Sequence, residues 1–283
     1  MIQDLASAAE PLPALQRAAG VGRIAVKAEA GVTRLARLYQ EGCGKIRLPT
    51  DRAAAGLEAV LINTSGGLTG GDRMSWRAEA QDGARLTLTT QACEKIYRAR
   101  PSVGQEGRAE VAVSLEVAEG ARIDWLPQET ILFDGAALAR TLEADLAPGA
   151  RLLAVEAVVL GRTAMGERVR AGLLRDRWRI RREGRLVFAD DLRFEGPIAE
   201  VAALAPTLAG GKAFASLLLV ADDAERRLGP VRAAIGAAGA ASAFDGKLFA
   251  RIVAADGLSL RRALLPAIAA LRDGEPCPRV WRL

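Results

Sequence analysis

The chain has 283 residues, 50% of them hydrophobic but only 4% aromatic, with 39 basic against 34 acidic residues and a net charge of +5. This length suits one large domain or two small ones with a substantial aliphatic core. The basic residues are interspersed with acids, which argues against a nucleic-acid stripe and suits an acidic protein partner. Histidine is absent, which removes Ser-His, Cys-His and His-zinc sites at once.

Three cysteines, Cys43, Cys93 and Cys277, are too scattered for a disulfide framework and point to a reducing compartment. The first residues lack the basic-then-apolar order of a signal peptide, and no apolar run reaches the roughly 20 residues of a membrane span. The expectation is a cytoplasmic protein that engages neither membrane nor nucleic acid.

Residues 1–20 read as a flexible, Ala-rich tail before a single domain over 21–283. From Arg23 the chain breaks into short alternating segments: "RIAVKAEA", "TRLARLYQ", then "LEAVLIN" entering a glycine loop and "RMSWRAEA" leaving it. Gly-Ala-Arg triplets then begin at Gly83, Gly120 and Gly149, spaced 37 and 29 residues apart, each followed by a period-two strand. The repeat predicts stacked β-coils or β-layers, with spacing too uneven for a strict solenoid. A hairpin is predicted around Glu183-Gly184, with Arg175, Arg177, Arg179 and Arg181 on one strand face, either solvated or a dock for an acidic partner. The stretch from about 229 to 274 reads as helical. In its second helix Ser259 is the expected N-cap and Gly274 the C-cap, with Pro266 kinking the helix or marking its start. The fold class is therefore mainly β: a coiled, β-solenoid-like stack with about two α-helices toward the C-terminus. Helix and tail together look amphipathic and end-exposed, which makes Arg261, Arg262, Trp281 and Arg282 candidates for partner contact.

The glycine loop "NTSGGLTGGD", Asn63 to Asp72, invites comparison with a phosphate cradle. It has no lysine, ends in an acid and runs from strand to strand, so it is not a Walker loop or a dinucleotide fingerprint. Its glycines make either a long turn or a tight loop pressed against something else. "TTQACEKIYR" carries Cys93 and Glu94, "LPQETILFDGA" carries Glu129 and Asp134, and "LGRTAMGE" ends in Glu167. Singly, each acid can be a surface charge or turn cap. Together, Asp72, Glu94, Glu129, Asp134 and Glu167 sit at strand ends, where carboxylates could line a path for a hard or borderline divalent cation.

These four motifs, in this order and spacing, resemble the UreD family of urease accessory proteins (UreH in some organisms), and the resemblance runs from about Arg23 to the terminal "VWR". It implies a non-catalytic scaffold chaperone that binds apo-urease and recruits UreF and the GTPase UreG. It further implies nickel in transit rather than a permanent cofactor, GTP only through UreG, and the motif acids as candidate lining of a polar path. Ser65, Leu68 and Cys93 depart from the family's commoner residues. Without histidine, a nickel site must use carboxylate, amide, thiol or water, which favours transit over storage. The rival readings are a β-solenoid binding module without a metal role and a His-free hydrolase using Glu129 and Asp134.

Overall fold

The computed structural model describes residues 16–49, 56–99, 107–162 and 165–282. The hairpin β1 (Ala19–Glu29) and β2 (Val32–Gly42) is followed by β3 (Gly44–Arg47) and β4 (Leu57–Asn63). The chain then alternates between two facing sheets. The first sheet receives β5 (Arg73–Ala80), β8 (Ala109–Val117), β11 (Ala137–Leu146) and β13 (Gly172–Arg182). The second receives β6 (Arg85–Thr90), β7 (Glu94–Ile96), β9 (Arg122–Leu126), β10 (Thr130–Leu132) and β12 (Arg151–Leu160). Neighbouring strands laid down this way are parallel, β1-β5-β8-β11-β13 on one side and β4-β6-β9-β12 on the other.

The Gly-Ala-Arg triplets make the turns from the first sheet back to the second. Gly83, Gly120 and Gly149 have φ of +67°, +63° and +65°, a region that glycine enters without steric cost. The alanines behind them, Ala84, Ala121 and Ala150, are buried, and the arginines stand in register at the starts of β6, β9 and β12. Eighteen residues separate β6 from β8 and ten separate β9 from β11, so the uneven repeat comes from the opposite crossings.

Mainly β is thus what forms, but not as a regular solenoid. Antiparallel strands flank the parallel core: β14 (Arg185–Gly196) beside β13, and β15 (Ala213–Val220), β17 (Lys247–Ala254) and β16 (Gly239–Phe244) beyond β12. The sheets are mixed and neither closes. One core fills the space between them. A second lies behind the second sheet, under α2 (Leu228–Ile235) and α3 (Gly257–Ala270). This explains why β12 and β15 are almost continuously buried while β5 alternates: they are covered on both faces, whereas the outer face of the first sheet is open.

Glu183 and Gly184 form the expected hairpin turn, with φ of +52° and +74°, and the four arginines of β13 alternate with buried residues. Several expectations are corrected. The helical stretch is interrupted by the β16–β17 hairpin, and a short helix, α1 (Ile198–Ala203), precedes it. Asp256, not Ser259, caps α3: its carboxylate accepts the Ser259 N–H at 2.7 Å. Pro266 lies inside α3, which continues to Ala270 with Leu271, not Gly274, as C-cap. Trp281 is 2% exposed rather than an open end, and its indole N–H donates to the Leu126 carbonyl at 3.0 Å. Of the expected tail, residues 1–15 lie outside the described residues, and β1 already begins at Ala19.

Candidate functional site

The four sequence motifs occupy the four crossings from the second sheet to the first, and because successive strands are parallel neighbours the crossings stack. Leu68 donates to Lys95 and Tyr97 donates to Leu68, at 2.8 and 2.7 Å. Glu94 donates to Glu129, and Phe133 to Ile96, both at 3.0 Å. Gly161 donates to Leu132 and Gly135 to Ala171, both at 2.8 Å. The bare backbone of the glycine loop serves this contact. Gly67 has φ +144°, and a Cβ there would lie 2.4 Å from the Tyr97 ring and 2.7 Å from the Lys95 carbonyl. The loop is pressed against its own chain and leads from β4 into β5 rather than into a helix that could hold a phosphate.

The acids fall into three groups. Asp72 is buried and acts as a clamp, accepting the Ala18 and Thr69 N–H groups at 2.8 Å each. Asp134 and Glu167 belong together on the outer side. Asp134 accepts the Arg170 N–H at 2.8 Å and side-chain bonds from Arg98 and Arg170 at 2.7 and 3.2 Å. Partial burial would raise its pKa, but these N–H groups and the Arg170 guanidinium hold it below the ordinary carboxylate range. Glu167 accepts from Arg162 at 2.8 Å and from the Asp134 N–H at 3.3 Å, and the Arg162 hydrogen bond is the main cause of its own lowered pKa.

Glu94 and Glu129 form the third group. Glu129 is 2% exposed and takes a forked pair of bonds from Arg261 of α3, at 2.6 and 2.7 Å; Arg261 also reaches Gln128 at 2.8 Å. The Cys93 thiol lies 3.4 Å from Glu129 and is pushed up to about 11, first by burial and then by that carboxylate. Glu129 and Asp134, the pair a hydrolase would need, are therefore each held by different arginines. Glu94 accepts from Asn63 Nδ2, at 3.1 and 3.3 Å, and burial pushes it up to about 7 against the pull of that bond and of the Lys95 backbone N–H. Arg262 is exposed, Arg261 is partly buried over the Trp281 ring, and the Arg282 side chain lies outside the described residues.

Glu94 also lines a cavity of about 40 Å³ between the sheets, with Gln128, Thr130, Arg140 and Glu156 among its walls. Behind it is a fully buried network. Arg140 binds Glu156 at 2.5 Å, Asp176 at 2.5 Å and the Thr130 hydroxyl at 3.0 Å. The Trp125 and Trp178 N–H groups donate to Glu156 and Asp176 at 2.9 and 3.1 Å. Burial pushes the Glu156 carboxyl up against the opposing pull of Arg140. Arg140, Glu156 and Asp176 lie outside the four sequence motifs. Strand parity could have found them: Arg140 falls between Leu138 and Leu142, and Glu156 interrupts "LLAVEAVVL".

A raised folded-state pKa means that the folded state holds a proton the unfolded chain releases, so stability falls as pH climbs from about 4.5 through about 7. Glu94→Gln removes this penalty. We expect its stability relative to the unchanged chain to be greater at pH 8 than at pH 5 by about 2 kcal/mol, measured by urea unfolding. Equal differences at the two pH values would show that Glu94 ionises freely.

Among the described residues, no three His, Cys, Asp or Glu side chains gather as a metal-holding set, and no helix is long and apolar enough to cross a membrane. The chain that forms this two-sheet body, its motif loops stacked over a buried polar interior, is similar over nearly its whole length to proteins of one class, the urease accessory proteins. The family model described as UreD urease accessory protein matches residues 18–282. A protein named urease accessory protein UreD from Rhizobium leguminosarum bv. viciae is 56% identical over 269 residues, 95% of this chain and 96% of its own. The same name is carried by a protein of Agrobacterium fabrum, 53% identical over 95% of this chain and 92% of its own, and one of Chelativorans sp., 52% identical over the full length of both. The chain belongs to the UreD urease accessory protein family.

Proposed function

We propose that the protein is a cytoplasmic, non-enzymatic scaffold that binds apo-urease, recruits UreF and the GTPase UreG, and passes nickel through its β body toward the urease active site. GTP is handled by UreG, and nickel is cargo here rather than a resident cofactor. The observation that carries this reading is Glu94. Its carboxylate is bonded at the stacked loops to Asn63, and it also lines the interior cavity with Gln128, Thr130 and Glu156. Oxygen groups so arranged, with one carboxylate titrating near neutrality, can take a divalent cation from one end of the stack and release it at the other.

The inward acids should then matter for transfer, while Asp72, Asp134 and Glu167 hold the crossings in place. With urease and its accessory proteins co-expressed, we expect Glu94→Gln and Glu156→Gln to lower the nickel content of urease about tenfold while the assembled complex still co-purifies. Fully loaded urease from both variants would refute the path. Loss of the complex instead would make these acids structural.

A further inference from the structure

The outer side of the stacked crossings carries a feature that the transfer reading does not use. Asp134 draws two arginines onto one oxygen, Oδ2, with Arg98 at 2.7 Å and Arg170 at 3.2 Å, yet their side chains remain 63% and 78% exposed. A third, Arg162, is tied to Glu167 and lies over the Phe133 ring, 4.5 Å from its centroid, with its side chain 49% exposed. Because Glu167 also accepts the Asp134 N–H, the three guanidinium groups surround a single turn, Phe133-Asp134-Gly135. Three fixed cations face two carboxylates that are themselves 13% and 15% exposed, so the surface shown to solvent is net basic.

The surroundings extend this surface. A groove of about 190 Å³ opens beside Glu167, lined also by exposed Arg168 and Lys212 and by the small side chains of Ala199 and Ala203. Two exposed side chains adjoin the crown: Met165, 74% exposed, whose N–H donates to the Arg162 carbonyl, and Tyr97, 39% exposed, whose ring meets Phe133. Holding a guanidinium with a buried-side carboxylate leaves its fork pre-set for a second carboxylate and lowers the entropy lost on binding.

We infer that this crown of Arg98, Arg162 and Arg170 is a docking surface for a carboxylate-rich segment of a partner protein, with a side chain of that segment entering the groove beside Arg168 and Lys212. The inference rests on the scaffold reading above. A nucleic acid fits less well: Arg162 lies over a face of the Phe133 ring and Tyr97 meets that ring edge-on at 5.0 Å, so Tyr97 is the one partly exposed ring beside the crown rather than one of a series for base stacking.

The test uses the full chain and a fluorescent octaglutamate peptide, followed by anisotropy as salt is raised. The unchanged protein is expected to bind with an affinity that falls with salt. R98Q/R162Q/R170Q is expected to bind about tenfold or more weakly, while R175Q/R193Q, on the open face of the first sheet, binds as the unchanged protein does. R98K/R162K/R170K keeps the charge and loses the fork, and should also weaken binding; it carries the test if the glutamine variant does not fold. Equal binding by the crown variants overturns the inference, as does equal loss in the R175Q/R193Q control or tighter binding of an oligothymidylate than of the peptide. Peptide binding through these arginines together with unaltered nickel loading in Glu94→Gln would keep the dock and remove the path; the converse result would do the opposite.

Discussion

Arg140→Leu is expected to destabilise the fold by about 3–5 kcal/mol at pH 8. The arginine stands between the sheets, where it compensates Glu156 of β12 and Asp176 of β13, and all three side chains are buried. Removing it leaves two buried carboxylates without the cation they share. They must take up protons or unfold the site. The folded state then binds more protons than the unfolded chain over the pH range above the ordinary carboxylate value, so the damage grows with pH. Urea unfolding at pH 5 and pH 8 would show it: the loss should shrink at the lower pH, where protonation relieves the uncompensated charge. A variant within 1 kcal/mol of the unchanged protein at pH 8 would mean that water enters this interior freely.

The second large effect is expected at Trp281. Its ring closes the core behind the second sheet, its N–H satisfies the Leu126 carbonyl, and Arg261 lies over the ring at 5.3 Å. Trp281→Ala should cost about 3–5 kcal/mol, and Trp281→Phe less, since most of the apolar volume stays while the hydrogen bond is lost. The loss would also loosen Arg261 and hence its bonds to Glu129. A weakened partner interaction in a chain cut after residue 274 is therefore expected to accompany a lower melting temperature. If Trp281→Ala melts as the unchanged protein does yet loses partner binding, the indole contacts the partner directly after all.

The sequence by itself determined what depends on near neighbours. Period-two alternation placed the strands. Glycines able to adopt positive φ placed the Gly-Ala-Arg turns and the Glu183-Gly184 hairpin, and four ordered motifs identified the family. These features answer to sterics and solvent within a few residues, so they survive in a linear reading. What each acid does was decided only by the tertiary structure. Glu129 meets an arginine 132 residues away, Arg98 meets Asp134 across 36, and Asp72 is used up on the backbone of Ala18. Such pairings follow from which crossing stacks on which, and strand order is non-local. The same holds for the covering of Trp281 and for the interior cluster of Arg140, Glu156 and Asp176, whose inward parity is written in the strands but whose partners come from the facing sheet and its neighbours. A carboxylate in a sequence states its charge. Whether it clamps a turn, holds an arginine or is left facing a cavity is set by the groups that packing brings within about 3 Å of it.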